Sequence, residues 1–262
     1  MNNGHGLWKV FRAISLILTL GISMNSEAGL FGFGGASWQE EVLLHDGRKL
    51  VVDRSVERGG RHEIGQLPSY TKQNLSFIHP TTGKSITWED KATEDLGTSS
   101  FLPMALDIYQ GAVYLVTSPM GCLSYNKWGR PNPPYVVFRH GGKTWERVPL
   151  QELPLETKIP NLISSSPDTE VERLGKRFVD AETIRRIVSG YRQPENKTIL
   201  REPLNFEGPP SCGQMISDGK GGWIGIGWFR DQPTREACFS YCARRNVGAD
   251  NCPCETLFKD AK

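Results

Sequence analysis

Short apolar runs, several alternating with polar residues, recur along the first part of the chain, and each pair of runs is separated by a turn signal. Glu41–His45 and Arg48–Arg54 flank Asp46-Gly47, and Asp-Gly between β-formers is a strong short-range hairpin signal. Asn74–His79 and Ser85–Glu89 flank Pro80–Gly83, and Pro103–Tyr109 and Ala112–Thr117 flank Gln110-Gly111. Tyr135–Arg139 and Thr144–Val148 make a fourth pair around His140-Gly141-Gly142. Successive hairpins of this kind predict a mainly β, antiparallel, hairpin-built fold: a sandwich, a barrel or an incomplete propeller.

The period changes near Ser166. Pro167 with Asp168 and Glu170 predicts a helix start, with Val171, Leu174 and Phe178 at helical spacing. Asp180 is placed to cap a second helix, with Ile184, Ile187 and Val188 as its apolar stripe and Gly190 at its end. Arg185 and Arg186 fall on its polar face as solvated charges. Strands are expected at Thr198–Arg201 and Trp223–Phe229, with Trp228 and Phe229 in the core. The expected organisation is a β domain over 38–231, a helical insertion at about 166–190 and a cysteine-rich tail over 232–262.

The N-terminus changes the picture of where the chain works. Lys9 and Arg12 precede an apolar run from Ala13 to Ile22, and Ser26-Glu27-Ala28 supplies small residues for cleavage. This pattern predicts a signal peptide over 1–28, followed by a flexible leader over 29–37 and a periplasmic or secreted protein. The apolar run is short for a bilayer span, and no later segment is longer, so no membrane span is expected after signal cleavage. Removing Lys9, Arg12 and Glu27 from 31 basic and 29 acidic residues leaves 29 and 28. A nearly neutral chain with no basic stripe argues against a nucleic-acid partner.

All six cysteines lie in the part expected to be exported, which favours disulfides. Cys238 and Cys242 share one face of a predicted helix, about 6 Å apart along its axis. Cys252 and Cys254 share one face of an extended segment, about 7 Å apart. The matched spacings predict nested bridges, Cys238–Cys254 and Cys242–Cys252, with a four-thiolate zinc knuckle as the competing reading. Cys122 then pairs with Cys212.

The most specialised stretch is Gly121–Tyr135. Tyr125, Trp128, Arg130 and Tyr135 are large anchoring side chains, and its prolines and glycines restrict the backbone. The same composition suits a lid packed over the sheet. Catalytic signatures are missing: there is no Gly-x-Ser-x-Gly elbow, phosphate loop or dinucleotide fingerprint, and His62-Glu63 lacks the second histidine of a zinc-protease helix. His45, His79 and His140 read as hairpin-turn residues rather than a shared metal site. No cofactor and no metal are expected. Three readings follow: a non-catalytic exported domain binding a protein or glycan partner through Tyr125–Tyr135, a hydrolase of envelope polysaccharide or another polymer whose carboxylates converge from separate hairpins, or a purely structural envelope protein, in which the rings would be buried.

Segments Trp38–Gly47, Asn126–Tyr135, Thr198–Leu204 and Gly225–Phe229 resemble the signature segments of a family of uncharacterised exported proteobacterial proteins. The resemblance spans about Trp38 to Phe229 and implies export but no activity. Arg139–Trp145 is similar in part to the turn motif of sialidase-type propeller blades. However, Phe138 and His140 replace its Ser and Asp, and no other hairpin repeats it.

Overall fold

A computed structural model describes residues 35–60, 62–205 and 212–259. The signal peptide and most of the leader expected from the sequence lie outside the described residues. The leader's last residues, Gly35–Ser37, already belong to the first strand.

Four antiparallel hairpins form in the expected order. They are β1 (Gly35–Leu43) with β2 (Lys49–Gly59), β3 (Ser69–Ile78) with β4 (Ser85–Lys91), β5 (Phe101–Tyr109) with β6 (Ala112–Pro119), and, after α1 (Gly121–Lys127), β7 (Val136–His140) with β8 (Trp145–Val148). The first turn shows why the sequence folds so. Gly47 adopts φ +84, and Asp46 accepts hydrogen bonds from the Arg48 backbone N–H and guanidinium.

The helical insertion follows as α2 (Pro167–Leu174) and α3 (Ala181–Ser189), with β9 (Phe178–Val179) between them. Asp180 caps α3 by accepting from the Thr183 N–H at 2.8 Å. Phe178 departs from the expected helical stripe. Its segment pairs parallel with β1 at Gln39 and Glu40, which leaves the ring largely exposed.

The strands build a five-stranded sheet, β4-β3-β2-β1-β9, and a four-stranded sheet, β5-β6-β7-β8, with no barrel closure. One apolar core joins the two. Val42, Val52, Leu75 and Trp88 from the first sheet meet Phe101, Leu106, Leu115 and Val136 from the second, and interdigitating inner faces of this kind define a sandwich.

Two polar devices tie later chain to the sheets. Glu40 accepts from Trp38 Nε1, Arg54 Nη1 and Ile163 N at 2.7 to 3.0 Å, all of it buried. Arg58 and the Tyr70 hydroxyl both bond Asp168, fixing the start of α2 on β2 and β3.

Past Ser189 come α4 (Pro194–Lys197), β10 (Met215–Ser217), β11 (Trp223–Gly225), α5 (Gly227–Arg230), α6 (Arg235–Arg244) and α7 (Cys254–Leu257). The strands expected at Thr198–Arg201 and Trp223–Phe229 need correction. The former is irregular chain, and the latter ends at Gly225. There Ile226 N–H bonds Gln214 O and the chain turns helical through Phe229 N–H to Ile226 O. Consequently Phe229 is fully buried while Trp228 is 65% exposed, so only one of the two is core.

The bridges Cys238–Cys254 and Cys242–Cys252 join α6 to the segment entering α7. Their sulfurs pack with Ile224, Phe229, Val247 and Ile216. The C-terminal unit therefore starts near Met215, and the expected boundary at 232 cuts through its core.

Candidate functional site

The stretch Gly121–Tyr135 is not a free loop. Its first half is α1, and its side chains are engaged by the protein's own chain. The Trp128 ring lies 4.6 Å from Phe101 and 6.3 Å from Phe138, in a cluster that also holds Trp88. Arg147 covers the ring and donates to Trp128 O. The Trp128 indole N–H is buried without a hydrogen-bond partner among the described residues. Tyr135 is buried as well; its hydroxyl meets Glu195 O at 2.7 Å and Thr198 O at 3.1 Å and accepts from Leu200 N. Burial lifts this phenol to about 12.

The half-exposed members grip the C-terminal unit. Arg130 lies over Tyr125 and donates to Asn126 Oδ1 and Cys212 O. Asn126 in turn donates to Gly213 O and accepts from Met215 N. Asn132 pairs with both backbone groups of Leu204, and Cys122 is bridged to Cys212. The composition that reads as an interaction surface thus works as an internal clasp for residues 195–204 and 212–215.

A different feature emerges at the far end of the first hairpin. His45 follows β1, its backbone exposed at the turn but its side chain only 17% exposed, and Asp107 in β5 is 2% exposed. His45 Nδ1 lies 2.8 Å from Asp107 Oδ1, and the imidazole rests 5.6 Å from the Tyr109 ring. Asp107 Oδ1 also accepts from Ile108 N–H at 2.9 Å, and Oδ2 accepts from the Thr157 hydroxyl at 2.6 Å. A carboxylate so held accepts the Nδ1–H proton and fixes the tautomer in which Nε2 carries a lone pair. Nε2 has no hydrogen-bond partner among the described residues.

The surroundings hold this pair still. The Asn161 side chain donates to Leu43 O and Leu106 O and accepts from Leu106 N, bridging the two sheets beside His45. The Arg201 guanidinium donates to the carbonyls of Leu150, Leu153, Pro154 and Thr157, so it fixes the loop that delivers the Thr157 hydroxyl. Burial lowers the Arg201 pKa from its ordinary value, as expected for a cation held by carbonyls with no carboxylate bonded to it.

His45 and Asp107 line a cleft of about 300 Å³ with Leu43, Leu44, Ile159, Ile184, Lys158 and Arg185. The walls are mostly apolar. Glu41, at the same cleft, is held below its ordinary pKa chiefly by the Lys49 hydrogen bond. Lys158 and Arg185 make no ion pair among the described residues, whereas Arg186 pairs with Glu182. Arg185, read from sequence as plain surface charge, is therefore part of the cleft. The other two turn histidines serve their own turns: His79 Nδ1 accepts from Thr81 and Thr82 N–H, and His140 Nδ1 accepts from Gly142 N–H.

An imidazole oriented by a buried carboxylate is a general acid or base for a group bound at Nε2. Among the described residues no hydroxyl or thiol is hydrogen-bonded to His45, so the partner in proton exchange is water or the ligand itself. No family model matches this chain, and no similar curated protein or solved structure is found.

Proposed function

We propose that this is an exported protein that acts through the cleft at His45, taking up a small, partly apolar molecule with which His45 exchanges a proton. The observation that carries the reading is the Asp107–His45 contact. A buried carboxylate orients an imidazole that lines an apolar cleft and whose Nε2 has no hydrogen-bond partner among the described residues, which is how a protein equips a histidine for acid–base work. The three disulfides and the N-terminal pattern support export. The resemblance to exported proteobacterial proteins agrees with export and adds no activity.

Within this reading the reaction class is hydrolysis by an activated water. Nε2 of His45 takes a proton from the water as its oxygen bonds an acyl or glycosyl carbon; the bond from that carbon to the leaving oxygen breaks, and the imidazolium, stabilised by Asp107, returns the proton to the departing alcohol. A His–Asp pair thus replaces the converging carboxylates expected of a hydrolase. Partner binding through Tyr125–Tyr135 loses its main support, because Tyr135 is buried and Trp128 packs, partly buried, against the core.

p-Nitrophenyl esters of short aliphatic acids serve as probes. Wild type is expected to hydrolyse them above the buffer rate. His45→Gln and the cleft-filling Ile159→Trp should each return the rate to background. Equal rates in wild type and His45→Gln would overturn the reading.

A further inference from the structure

The two bridges of the C-terminal unit lie against each other. Cys254 Sγ is 3.6 Å from Cys242 Sγ and 3.4 Å from Cys252 Sγ, although it is bonded to neither. The sulfurs of Cys238, Cys242 and Cys254 all fall within 4.8 Å of one another. These three residues are buried and Cys252 is half-buried.

Four sulfurs gathered so closely match a metal's requirements. Zinc binds four thiolates tetrahedrally at about 2.3 Å, which sets neighbouring sulfurs about 3.8 Å apart. The two contacts that Cys254 Sγ makes with the other bridge are already close to that distance. The two bonded pairs would have to separate, by about 1.7 Å each, and Cys252 Sγ, which lies outside the 4.8 Å cluster, would have to approach Cys238 Sγ, shifts that side-chain rotation supplies. Ile224, Phe229 and Val247 surround the cluster, so an apolar core is present around the four sulfurs.

We propose that the reduced C-terminal unit is a tetrathiolate zinc site with Cys238, Cys242, Cys252 and Cys254 as ligands, and that exchange with two molecules of an organic disulfide, each taking two electrons and leaving as two thiols, expels the metal and forms the two bridges. Reduction begins at the half-buried Cys252. One dithiol molecule breaks Cys242–Cys252, itself becoming a disulfide and leaving two thiols. The Cys252 thiolate then attacks Cys254, forming a Cys252–Cys254 bond and releasing Cys238 as a thiolate. A second dithiol reduces that bond, so four electrons in total yield four thiols. Binding of Zn²⁺ then releases the four thiol protons.

Cobalt titration of the full-length protein tests this. The protein is reduced with a phosphine under anaerobic conditions, and Co²⁺ reports a tetrahedral thiolate site through its visible bands. The reduced protein should take up one Co²⁺ per chain, displaced by one Zn²⁺, and the oxidised protein none. The Cys122→Ser/Cys212→Ser double variant should behave as wild type, and Cys254→Ser should lose the spectrum. The proposal is overturned if the reduced protein takes up no tetrahedral Co²⁺, or if the spectrum survives in Cys254→Ser.

Discussion

His45 and Asp107 stand 62 positions apart in sequence and 2.8 Å apart in space, one at a hairpin turn of the first sheet and the other in β5 of the second. The contact crosses the sandwich edge and places a partly exposed imidazole against a fully enclosed carboxylate. Removing the carboxylate strands several donors together. Asp107→Ala leaves the Ile108 N–H, the Thr157 hydroxyl and His45 Nδ1 without their acceptor. It should cost about 1–3 kcal/mol for buried groups left unsatisfied. Urea unfolding measures the loss. Asp107→Asn should keep most of the stability yet lose ester hydrolysis, because an amide no longer dictates the Nδ1–H tautomer.

The clasp makes the opposite prediction. Trp128→Ala empties part of the Phe101–Phe138 cluster and should cost roughly 3 kcal/mol, in the range of large-to-small core changes. Ester turnover per folded molecule should be unchanged. A Trp128→Ala protein of native stability would show that the ring is not core.

Truncation tests where the C-terminal unit begins. Ending the chain after Asp231 removes α6 and α7 and exposes Ile216, Ile224 and Phe229. That product should bind a hydrophobic dye and aggregate. Ending it after Asn205, with Cys122→Ser to remove the unpaired thiol, should leave a monomeric sandwich. Clean behaviour of the first truncation would move the boundary back to 232.

Acidity enters through Asp90. Burial lifts its pKa to about 6, against hydrogen bonds from the Phe101 and Ser100 N–H groups and the nearby Lys127 charge. The folded value lies above the unfolded one, so the folded state binds the proton first. Its contribution favours the fold fully below about pH 4 and is lost as pH rises through about 6, with a span of roughly 3 kcal/mol at most. Asp90→Asn keeps an acceptor for both N–H groups and does not titrate. Wild type should therefore lose stability relative to Asp90→Asn between about pH 4 and pH 6.5. A constant difference between their unfolding free energies would contradict the assignment.

The hairpins were legible because their signals are local. Asp46-Gly47 dictates its own turn, and the Asp180 cap sits three residues from the N–H it accepts. Cysteine spacing carried the pairing of the tail through the helix rise between Cys238 and Cys242, whereas Cys252–Cys254 is a turn entering α7 rather than the expected extended segment. The Trp223–Phe229 segment misled: its alternation of glycine and bulky residues suits a strand, but the ladder stops when Ile226 bonds Gln214. Gly121–Tyr135 misled differently, since aromatic rings, arginine and proline describe gripping power without saying what is gripped. Asp107 did leave a trace. It is the one carboxylate inside the apolar β5 run, and a buried carboxylate must have partners. Sequence could not say that the partners are His45 and Thr157, because sheet packing alone brings them together.

The central claim is that the protein works at the His45 cleft rather than along Tyr125–Tyr135. Amide and imidazole NMR spectra recorded during titration with short aliphatic esters and carboxylates test it most directly. The shifts should cluster at Leu43–His45, Asp107 and Thr157–Asn161, with the His45 imidazole among the largest, and should vanish in Ile159→Trp. Shifts confined to Tyr125–Arg130, with His45 unmoved, would contradict it.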